Sequence, residues 1–471
     1  MNLAVHHRQF VIAKEPILVN QDWRSMILSN EFYLSHQADL PVRILERNAR
    51  RMVMIGQAFA GEDGDGRDDL SHELSGRFTW IDWPYLYTDA SALLPVYYTG
   101  HLDEPLITSS VALAAKLADA AVSRRSIRWG GLNWTPPPGS SVSNLGKLLR
   151  DQRLYIPSAA VEFVDRSIRP AASFDQAKQR LASDLTTISR SVGKRSGTLY
   201  LALTAGLDSR TLLSSLLAAG VKFECVTQKF QGVSRSDVEV AVQISRYLGV
   251  QHYVIGPNPR NEDSVRLWRE HTLETHSDAD DTHLIPQDQY RFLKAGDTLV
   301  RGGCFELGRR FYASQLKDLT FENARGIDLW RRFETEPPDA HVIASLDEWL
   351  AWRRQHRCGL DLVDAFYLDQ RVGGWLSALE HGLDMQPGIS VPLANCGRIL
   401  SSLITPGEAD RRTGRLQREA IGMLEPNLLR FPVNPISLGD RAGRILRRAE
   451  RTLKQALKRV LPPGIVGRLK R

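Results

Sequence analysis

The sequence predicts an α/β protein: a β-rich N-terminal domain (1–170), then a parallel-sheet domain with added helices (171–437), then a basic tail (438–471). Three observations carry this. Short strand-like runs separated by turn signals lie between residues 51 and 99. The apolar run 199–203 (LYLAL), short enough for a buried parallel strand, enters a small-residue turn. A helix with leucines at 212, 213, 216 and 217 on one face follows, and by residue 255 a strand, a helix and another strand, the order of a parallel sheet with crossover helices.

Length and composition bound the rest. A chain of 471 residues has material for two or more full cores, and 42% hydrophobic with 24% charged residues is a globular composition. No apolar run reaches the ~18 residues of a membrane span, and the start, MNLAVHHRQFVIAKEP, lacks the apolar segment of a signal peptide. The four cysteines, at 225, 304, 358 and 396, form no CxxC pair; they fit a reducing cytoplasm and argue against a disulfide framework or a zinc site. The net charge is +7, but from Arg441 onward eleven Lys/Arg face one acid, Glu450, so the tail alone is +10 and the remainder is 7 − 10 = −3. No nucleic-acid-binding core is therefore expected.

Residues 1–60 are mixed, with one strand expected at 51–57 (RMVMIGQ). Residues 61–69 (GEDGDGRDD) read as a glycine-rich loop; its alternating acids raise a Ca²⁺ loop, but the terminal Glu at EF-hand spacing is missing. Strands are expected at 77–82 (RFTWID), 85–88 and 95–99 (PVYYT), and a helix from 111 to about 121. The run 134–139 (WTPPPG) is a rigid loop, and 167–173 (SIRPAAS) reads as the linker between domains. Phe174, Ala177, Leu181, Leu185, Ile188 and Val192 recur at alternating threes and fours, an amphipathic helix leading to the strand at 199.

The turn Thr204-Ala205-Gly206-Leu207-Asp208-Ser209 is a candidate anion site. Backbone N–H groups converge in such a turn, and the positive helix end points at its occupant. Gly206 permits close backbone approach, and Asp208 suits Mg²⁺ held against phosphate oxygens. No Lys follows the glycine, so it is not a Walker A loop. An ordinary crossover with a capping Asp-Ser pair is the alternative. The strand 223–227 (FECVT) would bring Val226 and Thr227 beside the turn, where backbone groups could read adenine. A helix over 237–247, ended at Gly249, leads to a third strand at 250–255, whose His252 is open to a base role or to packing. A further strand, Leu299-Val300, runs into Arg301-Gly302-Gly303 and Cys304-Phe305-Glu306. In the tail Ile445, Leu446, Ala449, Leu453, Ala456, Leu457 and Val460 share one helical face among Lys and Arg; such a helix suits an anionic membrane surface, an acidic partner, or its own domain.

The turn resembles the SGGxDS pyrophosphate loop of N-type ATP pyrophosphatases, with Thr204 and Ala205 in place of Ser and Gly. The run DVEVAVQISRYLGVQHYVI resembles the E…A..IA..LG..H..V segment of asparagine synthetases. The stretch 378–395 (ALEHGLDMQPGISVPLAN) resembles their M..HGLEVR.PFLD segment, and 415–430 (RLQREAIGMLEPNLLR) their K..LR.A…LP..I..R element, in which Arg418 matches the Arg. Upstream, SGRFTWID, LYTDASALLPVYY and ITSSVALAAKL follow one another as in the class II glutamine amidotransferase domain of those enzymes, with Asp89 and Tyr97-Tyr98 in the expected places. The resemblance covers roughly residues 70–435. It implies an Ntn-hydrolase-like α+β domain followed by a Rossmann-like, adenine nucleotide alpha hydrolase-like domain.

That resemblance also implies the chemistry. An asparagine synthetase-like ligase uses ATP and Mg²⁺ to convert a carboxylate to an acyl-adenylate and then to an amide. The nucleotide would be held by Thr204, Ala205, Gly206, Leu207, Asp208, Ser209, Val226, Thr227 and Gly303, the metal by Asp208 and Glu306, and catalysis would rest on Asp208, Glu306 and Arg415. Arg301 is a candidate to neutralise phosphate charge, and Trp375, Gln386 and Asn395 to contact the acceptor. Four departures stand out. Asn2 replaces the N-terminal Cys nucleophile, so the first domain is expected to be a silent glutaminase scaffold. Phe305 replaces a metal-binding Asp, and Gly302 a Glu. Gly414 stands at the catalytic Lys, with Arg415 adjacent. The expected partners are ATP, an unidentified carboxylate and ammonia or an amine, with a homodimer a further expectation. The expected location is the cytoplasm, with the tail at a membrane periphery. The alternative is a non-catalytic nucleotide-binding or scaffold homologue, with polysaccharide biosynthesis a compatible setting; sulfur transfer onto tRNA is a third reading that the unpaired cysteines and non-basic core disfavour.

Overall fold

The computed structural model describes residues 7–435 except 48, 61–68, 100–103, 123–131, 133, 143, 230–234, 257, 258, 260, 274–288, 335 and 336. Position 2, nearly all of the 61–69 loop and the basic tail lie outside the described residues.

The N-terminal part is a pair of antiparallel sheets. Its strands are β1 (Phe10–Ala13), β2 (Trp23–Ser29), β3 (Phe32–Gln37), β4 (Val42–Arg47), β5 (Arg50–Ala60), β6 (Leu74–Asp82), β7 (Tyr85–Thr88), β8 (Tyr97–Thr99), β9 (Ile107–Thr108), β10 (Leu145–Lys147), β11 (Gln152–Tyr155) and β12 (Ala160–Phe163). They run β10-β8-β9-β1-β3-β2 in one sheet and β12-β11-β7-β6-β5-β4 in the other. Alternate side chains of both sheets, among them Phe10, Ile12, Phe32, Leu34, Ile55, Ile81 and Leu154, meet in one core. The expected strands at 51–57, 77–82 and 85–88 are here as β5, β6 and β7. β2 and β4 escape a sequence reading because they are sheet edges with largely exposed faces and mixed polarity. The helix expected over 111–121 stops at Leu117, where Asp119 turns into the left-handed region.

The C-terminal part carries a five-stranded, wholly parallel sheet, ordered β15-β14-β13-β16-β17. Its strands are β13 (Leu199–Ala202), β14 (Glu224–Gln228), β15 (His252–Ile255), β16 (Thr298–Arg301) and β17 (Ile389–Pro392). The amphipathic helix is observed as Phe174–Val192, and it packs with helices Leu207–Ala218, Gly397–Ile404 and Arg415–Leu424. The molecule is thus a mixed α/β protein, antiparallel sheets first and a parallel sheet second. No helix among the described residues is long and apolar enough to cross a membrane.

Buried polar contacts lock the two parts together. Arg353 lies between Asp151 of the N-terminal part and Asp369, with no exposure at any of the three side chains. Arg77 pairs with Asp384 at 2.6 Å. Asn395 donates to the Gly76 carbonyl (2.6 Å) and to Asp89 (2.9 Å), whose carboxylate also accepts the backbone N–H groups of Phe78, Ser91, Leu93 and Leu94. Trp134, at the head of the proline-rich loop, packs so closely on Gly374 that an added Cβ there would lie 2.5 Å from its ring.

Candidate active site

The turn after β13 sits at the carboxyl edge of the middle strand of the parallel sheet, the edge at which open α/β sheets bind ligands. Its hydroxyls brace it from within. Thr204 Oγ1 and Ser209 Oγ are 3.1 Å apart, Gly206 N donates to Thr204 Oγ1 (3.0 Å), and Thr204 N to Ser209 Oγ (3.2 Å). Gly206 has an ordinary φ of −70°, so its value lies in space: a Cβ would stand 3.0 Å from Thr204 Oγ1. Leu207 opens the helix Leu207–Ala218 and its side chain is buried. Ala205 N donates to the Asp237 carboxylate at 3.2 Å, so one turn amide faces an acid of the chain itself. From below, Arg210 donates to the carbonyls of Ala205, Leu428, Phe431 and Pro432, and Asn434 N donates to Ala205 O, which lays residues 431–434 alongside the turn.

Asp208 is held in a fork by Arg309, whose Nη2 is 2.9 Å from Oδ2 and whose Nη1 donates to Oδ1. Gln417 adds a bond to Oδ1 at 2.9 Å. Glu306 lies in the same network, in the field of Asp208, Arg309 and Arg371 and hydrogen-bonded by Tyr367. Burial pushes its carboxyl above the ordinary range, against the pull of Arg371. Gly302 backs onto Asp208: a Cβ there would be 3.2 Å from the Asp208 Cβ. Gly303 packs on Leu376 and Pro392. Phe305 is fully buried core.

Val226 and Thr227 lie beside the turn through β14. The Val226 carbonyl accepts from Leu203 N (2.9 Å), and Thr227 Oγ1 bonds Leu203 O (2.6 Å) and His252 Nε2 (2.8 Å). Burial lowers the pKa of His252. Other predicted residues are directed elsewhere. Arg415 pairs with Asp410 (3.3 Å) and Glu419 (2.8 Å) and lies over the Phe174 ring. Arg301 bonds Glu380 at 3.0 Å. Gln386, through its carbonyl to Arg8, and Asn395 belong to the seam between the two parts. Trp375 carries the Arg371 guanidinium on its ring face, 3.6 Å from the centroid.

Arg309, Gln417, Asp237, Arg371 and Tyr367 were not singled out from the sequence. Arg309 and Gln417 stand in stretches read for their family pattern, but no spacing signals that both reach Asp208. Chemically the arrangement offers one carboxylate already neutralised by a guanidinium, a second that is half-buried, and a braced turn at a helix N-terminus.

No family model matches the chain, and no curated protein matches it in sequence. Among solved structures it is similar to the glutamine-dependent NAD⁺ synthetase from Acinetobacter baumannii in complex with ADP, at 12% identity over 47% of this chain and 52% of that one, with a TM-score of 0.18. It is also similar to the glutamine phosphoribosylpyrophosphate amidotransferase from B. subtilis complexed with ADP and GMP (12% identity, 70% of this chain and 74% of that one, TM-score 0.20). A third is an allosteric regulatory enzyme of purine biosynthesis (10% identity, 71% and 74%, TM-score 0.21). The chain spans about half the length of the NAD⁺ synthetase it matches. TM-scores of this size belong to chains that do not superpose over their whole length.

Proposed function

We propose that the protein is an asparagine synthetase-like, ATP-dependent ligase that forms an amide from a carboxylate through an acyl-adenylate, without glutaminase activity of its own. The observation that carries this is the place of the turn 204–209: at the carboxyl edge of the middle parallel strand, with β14 on one side and Gly302 to Glu306 on the other. In this reading residues 1–170 are a scaffold, 171–437 form the synthetase domain, and the tail 438–471 contacts an anionic membrane surface or an acidic partner.

The substrate carboxylate attacks the α-phosphate of ATP, its oxygen–phosphorus bond forms, and the α–β bond breaks to release pyrophosphate. Ammonia or an amine then displaces AMP from the acyl carbon. The turn amides and the helix N-terminus stabilise the charge on pyrophosphate. Mg²⁺ brought by the nucleotide needs only one or two protein carboxylates, and Asp208 and Glu306 are the candidates; Mg²⁺ would shield the phosphates. For Asp208 to serve, Arg309 must turn from it toward the phosphates, a move that its part-exposed side chain and bidentate fork suit. Arg415 would first have to leave Asp410 and Glu419 to reach an α-phosphate.

A second reading is a non-catalytic nucleotide-binding homologue. It is favoured by the occupation of Asp208 by Arg309 and Gln417, by Asp237 on the Ala205 amide, and by Phe305 in the core. Calorimetric titration with ATP, with and without Mg²⁺, on the full chain and on Asp208→Ala separates the two. The ligase reading expects binding that needs both Mg²⁺ and Asp208, and pyrophosphate release with some carboxylate. Mg²⁺-independent binding that survives Asp208→Ala points to the second reading, and no binding at millimolar ATP by folded protein removes both.

A further inference from the structure

Most cations around the sheet-edge turn are engaged by the chain itself. Arg309 forks onto Asp208. Arg301 bonds Glu380 at 3.0 Å. Arg310 and Arg411 pair with Asp361 (2.7 Å) and Asp364 (2.8 Å). Arg415 is held by Asp410 and Glu419. Arg210 donates to four backbone carbonyls beneath the turn.

Arg371 differs. It stands on the segment Phe366–Leu376, wound as a π-helix, a rare form that recurs at functional sites. Its guanidinium lies over the face of Trp375, 3.6 Å from the ring centroid, and 5.6 Å from the centroid of Phe311. Stacking occupies the flat face of a guanidinium and leaves the N–H groups at its edge for an acceptor. Among the described residues Arg371 makes no ion pair and no hydrogen bond, and its half-buried side chain keeps its nitrogens in reach of water.

The surroundings of Arg371 tie it to the site. Glu306 lies in the fields of both Arg371 and Asp208, and Tyr367, four residues before Arg371 on the same helix, hydrogen-bonds Glu306. That helix also packs against the sheet edge, since a Cβ on Gly303 would stand 3.0 Å from Leu376. Glu306 does not cancel the guanidinium. Burial pushes its carboxyl above the ordinary range, and the two side chains form no ion pair.

We propose that Arg371, stacked on Trp375, meets the phosphate charge of the bound nucleotide, the role that the family resemblance assigns to Arg415. The assignment rests on the ligase reading, because it needs a nucleotide on the turn 204–209. A guanidinium fixed by its face can give two parallel N–H groups to two oxygens of one phosphate. Arginine keeps its proton, so the role is electrostatic. As the carboxylate attacks the α-phosphate and the α–β bond breaks, Arg371 offsets the charge on the phosphate oxygens. Unlike Arg415 and Arg309, it reaches that position without first leaving a carboxylate.

The test is calorimetric titration of the full chain with Mg²⁺-ATP, with circular dichroism checking the fold of each variant. Arg371→Lys keeps a charge, Arg371→Met keeps an uncharged stem over Trp375, and Arg371→Glu inverts the charge. Affinity should follow that order: within about threefold of the unaltered chain for the first, about tenfold weaker for the second, and weaker still for the third. Loss of packing alone would not rank Arg371→Met above Arg371→Glu and below Arg371→Lys. Binding that needs Asp208 but is the same in all three variants overturns the assignment and leaves the ligase reading in place. No Mg²⁺-ATP binding by the unaltered, folded chain removes both.

Discussion

Two arginines in this molecule meet carboxylates in much the same geometry and in very different surroundings. Arg353 is wholly buried between Asp151 and Asp369 and makes five hydrogen bonds: two to each carboxylate and one to the His356 carbonyl. Trp349 and Trp352 donate to the same two carboxylates. Arg309 forks onto Asp208 at a site where the two side chains keep 29% and 22% of their exposure, with Glu306 close enough to compete for its charge. In the first case the bonds are saturated and water is excluded, so the pair can only hold the two parts together. In the second, solvent can replace either partner, so the pair can open. Access to water, more than the contact itself, separates a structural ion pair from one available for chemistry.

The largest effect is expected at the buried knot. Arg353→Ala strands two buried carboxylates and should cost about 3–5 kcal/mol, read as a lowered urea midpoint; a loss below about 1 kcal/mol, the size of a surface pair, would erase the distinction. Lys147 sharpens it, because it is a buried amine that forms no ion pair with a carboxylate among the described residues: its Nζ donates to Gly373 O (2.7 Å) and Ser377 Oγ (3.1 Å). Burial pushes it down from 10.5 to about 7, with Arg77 adding to the fall. The unfolded chain therefore binds the proton that the folded chain refuses, and stability should rise with pH between about 7 and 10.5. Thermal unfolding across that window should lose this slope in Lys147→Met. A smaller effect is expected at Arg309→Ala, under about 1 kcal/mol in stability because the pair is partly solvated, but with a changed Mg²⁺ dependence of ATP binding in calorimetry. The smallest belongs to Arg415→Ala. This exposed residue pairs with Asp410 and Glu419 and lies over the Phe174 ring, and its removal should move stability by no more than about 0.5 kcal/mol and leave ATP binding as it was.

Much of the architecture is legible in the chain because periodicity is a local property. The spacing of Phe174, Ala177, Leu181, Leu185, Ile188 and Val192 by threes and fours marks the amphipathic helix observed as Phe174–Val192, and LYLAL followed by small residues marks β13 and its turn. The edge strands β2 and β4 leave no such trace, since a strand largely exposed on both faces lacks the alternation that signals a half-buried one. At the site, the turn, its glycine, and the hydroxyls and carboxylate it carries are all local to one short run of residues. What they face is set by the folded chain: Arg309, more than a hundred residues later, claims Asp208; Asp237 claims the Ala205 amide; and Arg150 and Arg166 donate to each other's carbonyls, with Arg150 Nη1 and Arg166 Nε and Nη2 making no hydrogen bond among the described residues. These pairings are set by how the parts close against one another. A charge at one position carries no record in the sequence of which distant charge, or which patch of water, it will meet.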